Sequence, residues 1–412
     1  MKKQSILIIG AVWVEPNSSA AGSRMLQLID LFLKQNFIIT FASTAQKSKN
    51  AFNLESLGIT TVAIELNSSS FDDFIQKLKP DIVVFDRFMT EEQFGWRVAE
   101  NCPNALRILD TEDLHFLRKV RYQQLKKGEK FTNEALLRSD DTKREIASIL
   151  RCDLSIIIST YEMDLLKSVF KIDENLLYYL PFLLDKIDEH HTKKWKSFEE
   201  REHFVFIGNF FHKPNIDAVL TLKNEIWSKI RKRLPEVEIH IYGAYINQQI
   251  KELHNSREGF IVKGYAENAQ EIVKNARVVL APLRFGAGIK GKLTEAMICG
   301  TPSVTSLIGV EGMTNELHWS GFVEDDFTVF SKMAVILYVE KNTWKMAQSN
   351  GVKIINATYN KQKIGKPFLN KIDVIKQNLE QHRTHNFLGS LLQHQTLQAT
   401  KFMSKWIEAK NK

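Results

Sequence analysis

A chain of 412 residues, 44% apolar and 25% charged, is long for one core and suits two soluble globular domains. Its formal charge of +8 and pI near 9.1 point to an anionic partner. The basic residues are dispersed, with no tract interleaved with aromatics, which argues against nucleic acid. Cys102, Cys152 and Cys299 lie far apart in neither a disulfide framework nor a metal spacing, so a reducing, cytoplasmic setting is expected.

The opening Met1-Lys2-Lys3 and the apolar run from Ser5 to Val14 have the outline of a short signal peptide. That run ends at Glu15-Pro16-Asn17 and reads better as a first buried parallel strand. No stretch approaches the ~18 apolar residues that would span a bilayer. A loop over 15–22 leads to an amphipathic helix over 23–35. In that loop the small residues Ala21 and Gly22, flanked by Ser19 and Arg24, let the backbone approach a ligand. Strands are expected at 37–42, 60–65, 81–85, 106–109, 154–158 and 178–181, with helical patterns between several of them. This alternation describes a parallel sheet covered on both faces.

The polar, aperiodic segment 185–201 reads as a connection. A second doubly wound series follows: strands at 203–208, 238–243, 260–263, 277–281 and 303–305, and a helix over 216–234. From about Phe368 the tail looks helical. Its His382, His385 and His394 lack a suitably placed acid and read as surface or packing residues. The expected organisation is a first domain over 1–185, a linker over 186–201, a second domain over 202–367 and a tail over 368–412 that packs back on the first domain.

The most informative stretch runs from Arg284 to Met297, RFGAGIKGKLTEAM. It follows a buried strand and enters a helix. Unpaired N–H groups and the helix dipole make such a junction an anion site, and Lys290 and Lys292 add charge suited to phosphate. Glu295, one turn inside, can accept hydrogen bonds from two sugar hydroxyls. Phosphate beside a diol means a nucleotide. The plainer alternatives are a ligand-free glycine loop and a solvated lysine face.

These motifs resemble those of GT-B glycosyltransferases of the retaining, group-1 type (family 4-like). The resemblance rests on Phe206 to Ala218, Glu238 to Gly243, Gly286 to Pro302 continuing to Met313, and Asp110 to Arg118. It implies two Rossmann-like domains facing a cleft, with a nucleotide-sugar donor held by the second and an acceptor by the first. It also implies retention of anomeric configuration, with no metal and no other cofactor. Lysines and helix N-termini can neutralise a diphosphate unaided. The acid pairs Asp72-Asp73, Asp140-Asp141 and Asp325-Asp326 look like helix-start, surface or loop residues.

Carried over residue by residue, Lys290 and Lys292 would stabilise the leaving diphosphate together with the N–H groups of Gly288 to Gly291, and His115 would face the sugar. Glu295, Gly286, Gly288, Ile289, Gly291, Arg284, Lys213, Glu311 and Gly312 would line the donor site. Ala21, Gly22, Arg24 and Arg118 would line the facing wall. One departure stands out: where many members carry a first glutamate, this chain has Ala287. That leaves open a lapsed nucleotide- or glycan-binding protein; separately, the enzyme alternative is a sugar-nucleotide epimerase of the same fold. The expected acceptor is a glycan or lipid-linked glycan in polysaccharide biosynthesis. The lysine-rich segment 118–130 would bring peripheral contact with an anionic membrane at the inner face of the cell membrane.

Overall fold

The structure, a computed structural model, describes residues 3–394 and 397–410. Two parallel sheets are each wrapped by helices on both faces. The first contains β1 (Ser5–Gly10), β2 (Ile38–Ser43), β3 (Thr60–Ala63), β4 (Ile82–Asp86), β5 (Leu106–Asp110), β6 (Leu154–Ile157) and β7 (Leu177–Tyr179). Its spatial order is β3-β2-β1-β4-β5-β6-β7. The second contains β8 (Glu202–Ile207), β9 (Ile239–Tyr242), β10 (Phe260–Gly264), β11 (Ala276–Ala281), β12 (Ser303–Thr305) and β13 (Gly321–Val323). They lie in the order β10-β9-β8-β11-β12-β13.

These are two doubly wound, Rossmann-like folds, as the alternating pattern implies. The middles of the central strands are mostly apolar because both faces are covered. Ile6 and Ile8 enter one core layer, with Leu7 and Ile9 in the other. β13 escapes the sequence reading because it is short and only half-buried.

Two segments differ from expectation. The connection over 186–201 is packed against the second domain: Ile187 and Arg201 are buried, and Trp195 covers Gly300. The Arg201 guanidinium donates to Thr301 Oγ1 at 2.6 Å and to the Cys299 carbonyl at 3.0 Å. The chain also recrosses earlier than 367. Asn360 pairs with Leu184, and the helix Lys361–Gln377 runs onto the first domain with Pro367 inside it. Phe368, Ile372 and Ile375 complete a core layer with Ile29, Phe32 and Leu180. Arg383 then anchors the next helix, Leu379–His385, donating to the buried carboxylate of Asp153 at 2.7 Å. His382 lies 2.7 Å from the Asp153 carbonyl, a packing contact.

Truncating Phe368 removes a large ring from the first domain's core. Phe368→Ala should cost about 3 kcal/mol, seen as roughly hundredfold faster native-state exchange of β1 and β2 amides with β8 and β11 unchanged.

Candidate functional site

In both sheets the strand order reverses beside the first strand, between β1 and β4 and between β8 and β11. Connections diverge to opposite faces there, opening a crevice at the carboxyl ends of the strands. The two crevices face each other. Asn209, just after β8, donates to the Ser18 carbonyl at 3.1 Å, and Tyr245 donates to Glu15 at 2.8 Å. The rings of Tyr122 and Phe285 pack with centroids 4.9 Å apart.

The glycine loop leaves β11 and enters the helix Gly291–Ile298. Gly288 is left-handed at φ 61, and a Cβ there would lie 2.7 Å from Asp113 Cβ, so only glycine suits the position. Gly291 meets Ala20, the first residue of the helix Ala20–Leu33, so one helix from each domain begins at the same place. The backbone N–H groups of Ala20, Ala21, Gly291 and Lys292 have no acceptor among the described residues. They form the positive end of both helices. Gly22 closes against the backbone of Glu15, and its N–H is taken by the cap Ser19.

The two loop lysines are held without carboxylate partners among the described residues. Lys290 Nζ donates to the Gly288 carbonyl at 2.7 Å, and burial brings its pKa down to about 8. Lys292 Nζ donates to Asn215 at 2.6 Å above the Phe206 ring, and burial brings it down to about 7. Glu295 is half-buried, its carboxylate accepts no hydrogen bond among the described residues, and burial pushes its pKa up.

On the facing wall, His115 opens the helix His115–Lys127. Its ring packs edge-to-face on Phe88 and places Nε2 3.3 Å from Asp113 Oδ1. Burial holds its pKa down to about 4, so the imidazole is neutral at neutral pH and offers hydrogen bonds rather than a stored proton. Burial pushes Asp113 upward, but Arg118 and His115 outweigh it and leave the carboxylate below its ordinary range.

Other predicted residues have definite places. Arg24 is buried, donating to Asp110 at 3.2 Å and to the Leu180 carbonyl at 2.7 Å, so it braces the wall and does not line it. Arg118 is paired with Asp113, and Arg284 with Asp217. Lys213 sits 4.8 Å over the Tyr122 ring. Ile289 is buried in the second domain's core. Glu311 receives a two-pronged ion pair from Arg121, both bonds 2.7 Å, and Arg121 also donates to the Gly286 carbonyl at 2.9 Å. Gly312 abuts Ser159. The Gly288 N–H is not free for phosphate, since it donates to Glu162.

Glu162 was missed in the sequence. It is fully buried, and its Oε1 accepts N–H groups from Leu114 at 2.9 Å and from Gly288 at 2.8 Å, one from each domain. Burial, then the charge of Asp113, raises its pKa to about 7. Glu145 likewise accepts the N–H groups of His115 and Phe116, setting the histidine's position. An acidic group at the ends of β4 and β5 was missed too: Asp86, Asp110 and Glu112, with Arg87 among them. Buried Asp86 Oδ1 and Asp110 Oδ2 have no hydrogen-bond partner among the described residues, though Arg87 Nε lies 3.6 Å from Asp86 Oδ1. Arg87 and Glu112 hold left-handed backbones, a strained state for side-chain-bearing residues. The available signal was an acid ending a buried strand at a switch point.

With this geometry, residues 201–337 match the family model described as glycosyl transferases group 1. Solved structures share the fold over nearly their whole length. Sucrose-phosphate synthase from Thermosynechococcus elongatus superposes with a TM-score of 0.67 at 15% identity, covering 92% of this chain and 100% of that one. TarM from S. aureus, solved with fondaparinux, alpha-GlcNAc-glycerol and UDP, gives 0.67 at 12% identity, covering 90% and 99%. Anabaena HepE, solved with UDP and glucose, gives 0.63 at 13% identity, covering 89% and 99%. Among curated proteins, an uncharacterized Klebsiella pneumoniae protein in a cps region is 22% identical over 219 residues, 52% of this chain. The match spans about half of that relative's length, 54%. The fold is GT-B, and the part of it that matches the group-1 model lies in the second domain.

Because the pKa of Glu162 is raised from 4.5 to about 7, the native state binds a proton that the unfolded chain releases. Its contribution to stability is therefore present below pH 4.5 and is lost as pH rises toward 7. Glu162→Gln keeps a carbonyl for both N–H groups and removes the titration. Urea unfolding should show wild type losing stability relative to this variant across that window; a flat difference would mean the carboxyl does not titrate there.

Proposed function

We propose that this protein is a retaining glycosyltransferase that needs no metal and moves a sugar, in the first instance a hexose, from a nucleoside-diphosphate sugar to a glycan or lipid-linked acceptor. The observation that carries this reading is the pair of lysines without carboxylate partners, Lys290 and Lys292, beside two converging helix N-termini. That arrangement stabilises the negative charge that grows on a leaving diphosphate. The group-1 match over the same segment supports it, as does the UDP bound by structurally similar proteins.

In the reaction the bond from the anomeric carbon to the phosphate oxygen breaks, and its electron pair stays on the diphosphate. The acceptor hydroxyl oxygen bonds to the same face of that carbon and passes its proton to the departing phosphate oxygen. Lys290, Lys292 and the N–H groups of Gly291 and Lys292 receive the charge. Glu295 takes the ribose hydroxyls, and neutral His115 hydrogen-bonds the sugar. The second reading, a lapsed binding protein, follows from Ala287, which packs against the first domain's core where a donor-contacting glutamate was expected.

Screening nucleotide sugars for nucleotide release tests the reading: release with an acceptor supports it, and binding without release across varied acceptors favours the lapsed protein. Glu295→Ala should weaken UDP binding in calorimetry about tenfold with the fold intact. Removing both lysine charges should lower turnover more than donor occupancy. The lysines stand near pKa 7 and 8 when free and rise when an anion binds, so UDP affinity should fall as pH climbs above 7, by at most about tenfold per unit per lysine. The Lys290→Ala/Lys292→Ala variant should lose that dependence.

The setting we propose is the inner face of a membrane. No helix among the described residues is long and apolar enough to cross one. The last helices, Phe387–His394 and Leu397–Lys410, instead leave Phe387, Leu391, Phe402 and Trp406 exposed, in a chain of charge +8. The protein should sediment with phosphatidylglycerol vesicles but not phosphatidylcholine vesicles, and Phe402→Ser/Trp406→Ser should abolish this.

A further inference from the structure

At the amino ends of β8 and β9, opposite the crevice, three part-exposed side chains converge: His203, Glu238 and His240. β8 and β9 run parallel with Phe204 beside Ile239 and Val205 beside His240. Residues two apart on a strand share a face, so Glu238 and His240 project together, and His203 joins them from the neighbouring strand. One ligand-type atom from each lies within 4.8 Å of the others. The two imidazoles overlap with ring centroids 4.1 Å apart, and a ring nitrogen of His240 lies 2.7 Å from Glu238 Oε2.

Burial lowers the pKa of His240 despite its bond to Glu238, and the neighbouring His203 and Lys263 act in the same direction. The three side chains together make a donor set of two nitrogens and one oxygen. His203 reaches its place through a left-handed backbone, φ 60, costly for a non-glycine residue in a strand. Glu202 stands 3.6 Å from His203 Nε2, a second carboxylate at the rim. Because the group is part-exposed, a cation can enter and water can fill a fourth position.

We propose that His203, Glu238 and His240 form a site for a divalent transition metal, zinc in the first instance. Two imidazoles and a carboxylate with one open position match zinc's tetrahedral preference. The site lies where the interdomain connection enters the second sheet, so bound metal would tie the starts of β8 and β9 together. It is separate from the donor chemistry, which sits at the opposite ends of the strands.

The test uses the full chain without an affinity tag, stripped of metal and then dialysed against zinc or cobalt(II). Wild type should retain one equivalent of zinc, show the intense visible absorption of tetrahedral cobalt(II), and unfold at a higher temperature with zinc. Binding should weaken as pH falls below the ordinary histidine range, because protons compete for the nitrogens. His203→Asn/His240→Gln should lose all three responses. Asparagine tolerates the left-handed backbone, and circular dichroism checks that the variant folds. If wild type retains no more zinc than this variant, or its cobalt spectrum is unchanged in the variant, the proposal is overturned.

Discussion

One carboxylate oxygen, Oε1 of Glu162, receives an N–H from each half of the molecule, and the site is arranged around that meeting. The bond to Leu114 fixes the start of the helix bearing His115. The bond to Gly288 fixes the glycine loop three residues before the helix bearing Glu295. Closure also explains the electrostatics, because it takes Glu162, Lys290 and His115 out of water and moves each toward its neutral form. Arg121 adds a second strap, from Glu311 and the Gly286 carbonyl.

Which cations can serve a ligand is decided by what already holds them. Arg24, Arg118, Arg121 and Arg284 each have a carboxylate partner, and their charge is spent inside the protein. Lys290 and Lys292 are bonded to a carbonyl and an amide, neutral acceptors, with no carboxylate in direct contact among the described residues, although Glu311 and Glu162 lie near enough to Lys290 to act on its charge. A partly desolvated ammonium without a counter-ion is costly to keep and gains most when an anion arrives. The fold thus concentrates its unspent positive charge at the two converging helix starts.

The architecture was legible because parallel strands covered on both faces must be continuously apolar, and each such run ended in a recognisable breaker. The glycine loop was legible for the same local reason. The clasp was not: Glu162 lies in the first turn of the helix Thr160–Ser168, where acids are common for reasons of helix dipole alone. Its partner lies far along the chain, and no local period reports such a contact. Arg121 was lost among the basic residues of 118–130. Arg24 was placed by spacing beside a loop it does support, but spacing could not show that its side chain turns inward. The helix Lys361–Gln377 begins before Phe368 and carries Pro367 inside it, so the helical pattern of the tail starts earlier than its sequence suggests.

Leu184 and Asn360 lie side by side where the chain passes between domains in opposite senses, and Phe368, Ile372 and Ile375 then fill the first domain's core. This has an outcome for synthesis on the ribosome. The amino-terminal sheet emerges first but has an open face until the helix Lys361–Gln377 is made. The second domain, whose strands are contiguous in sequence, can reach its native packing earlier. The first domain therefore completes its packing only after the second has been made, and the helix Lys361–Gln377 acts as its closing piece.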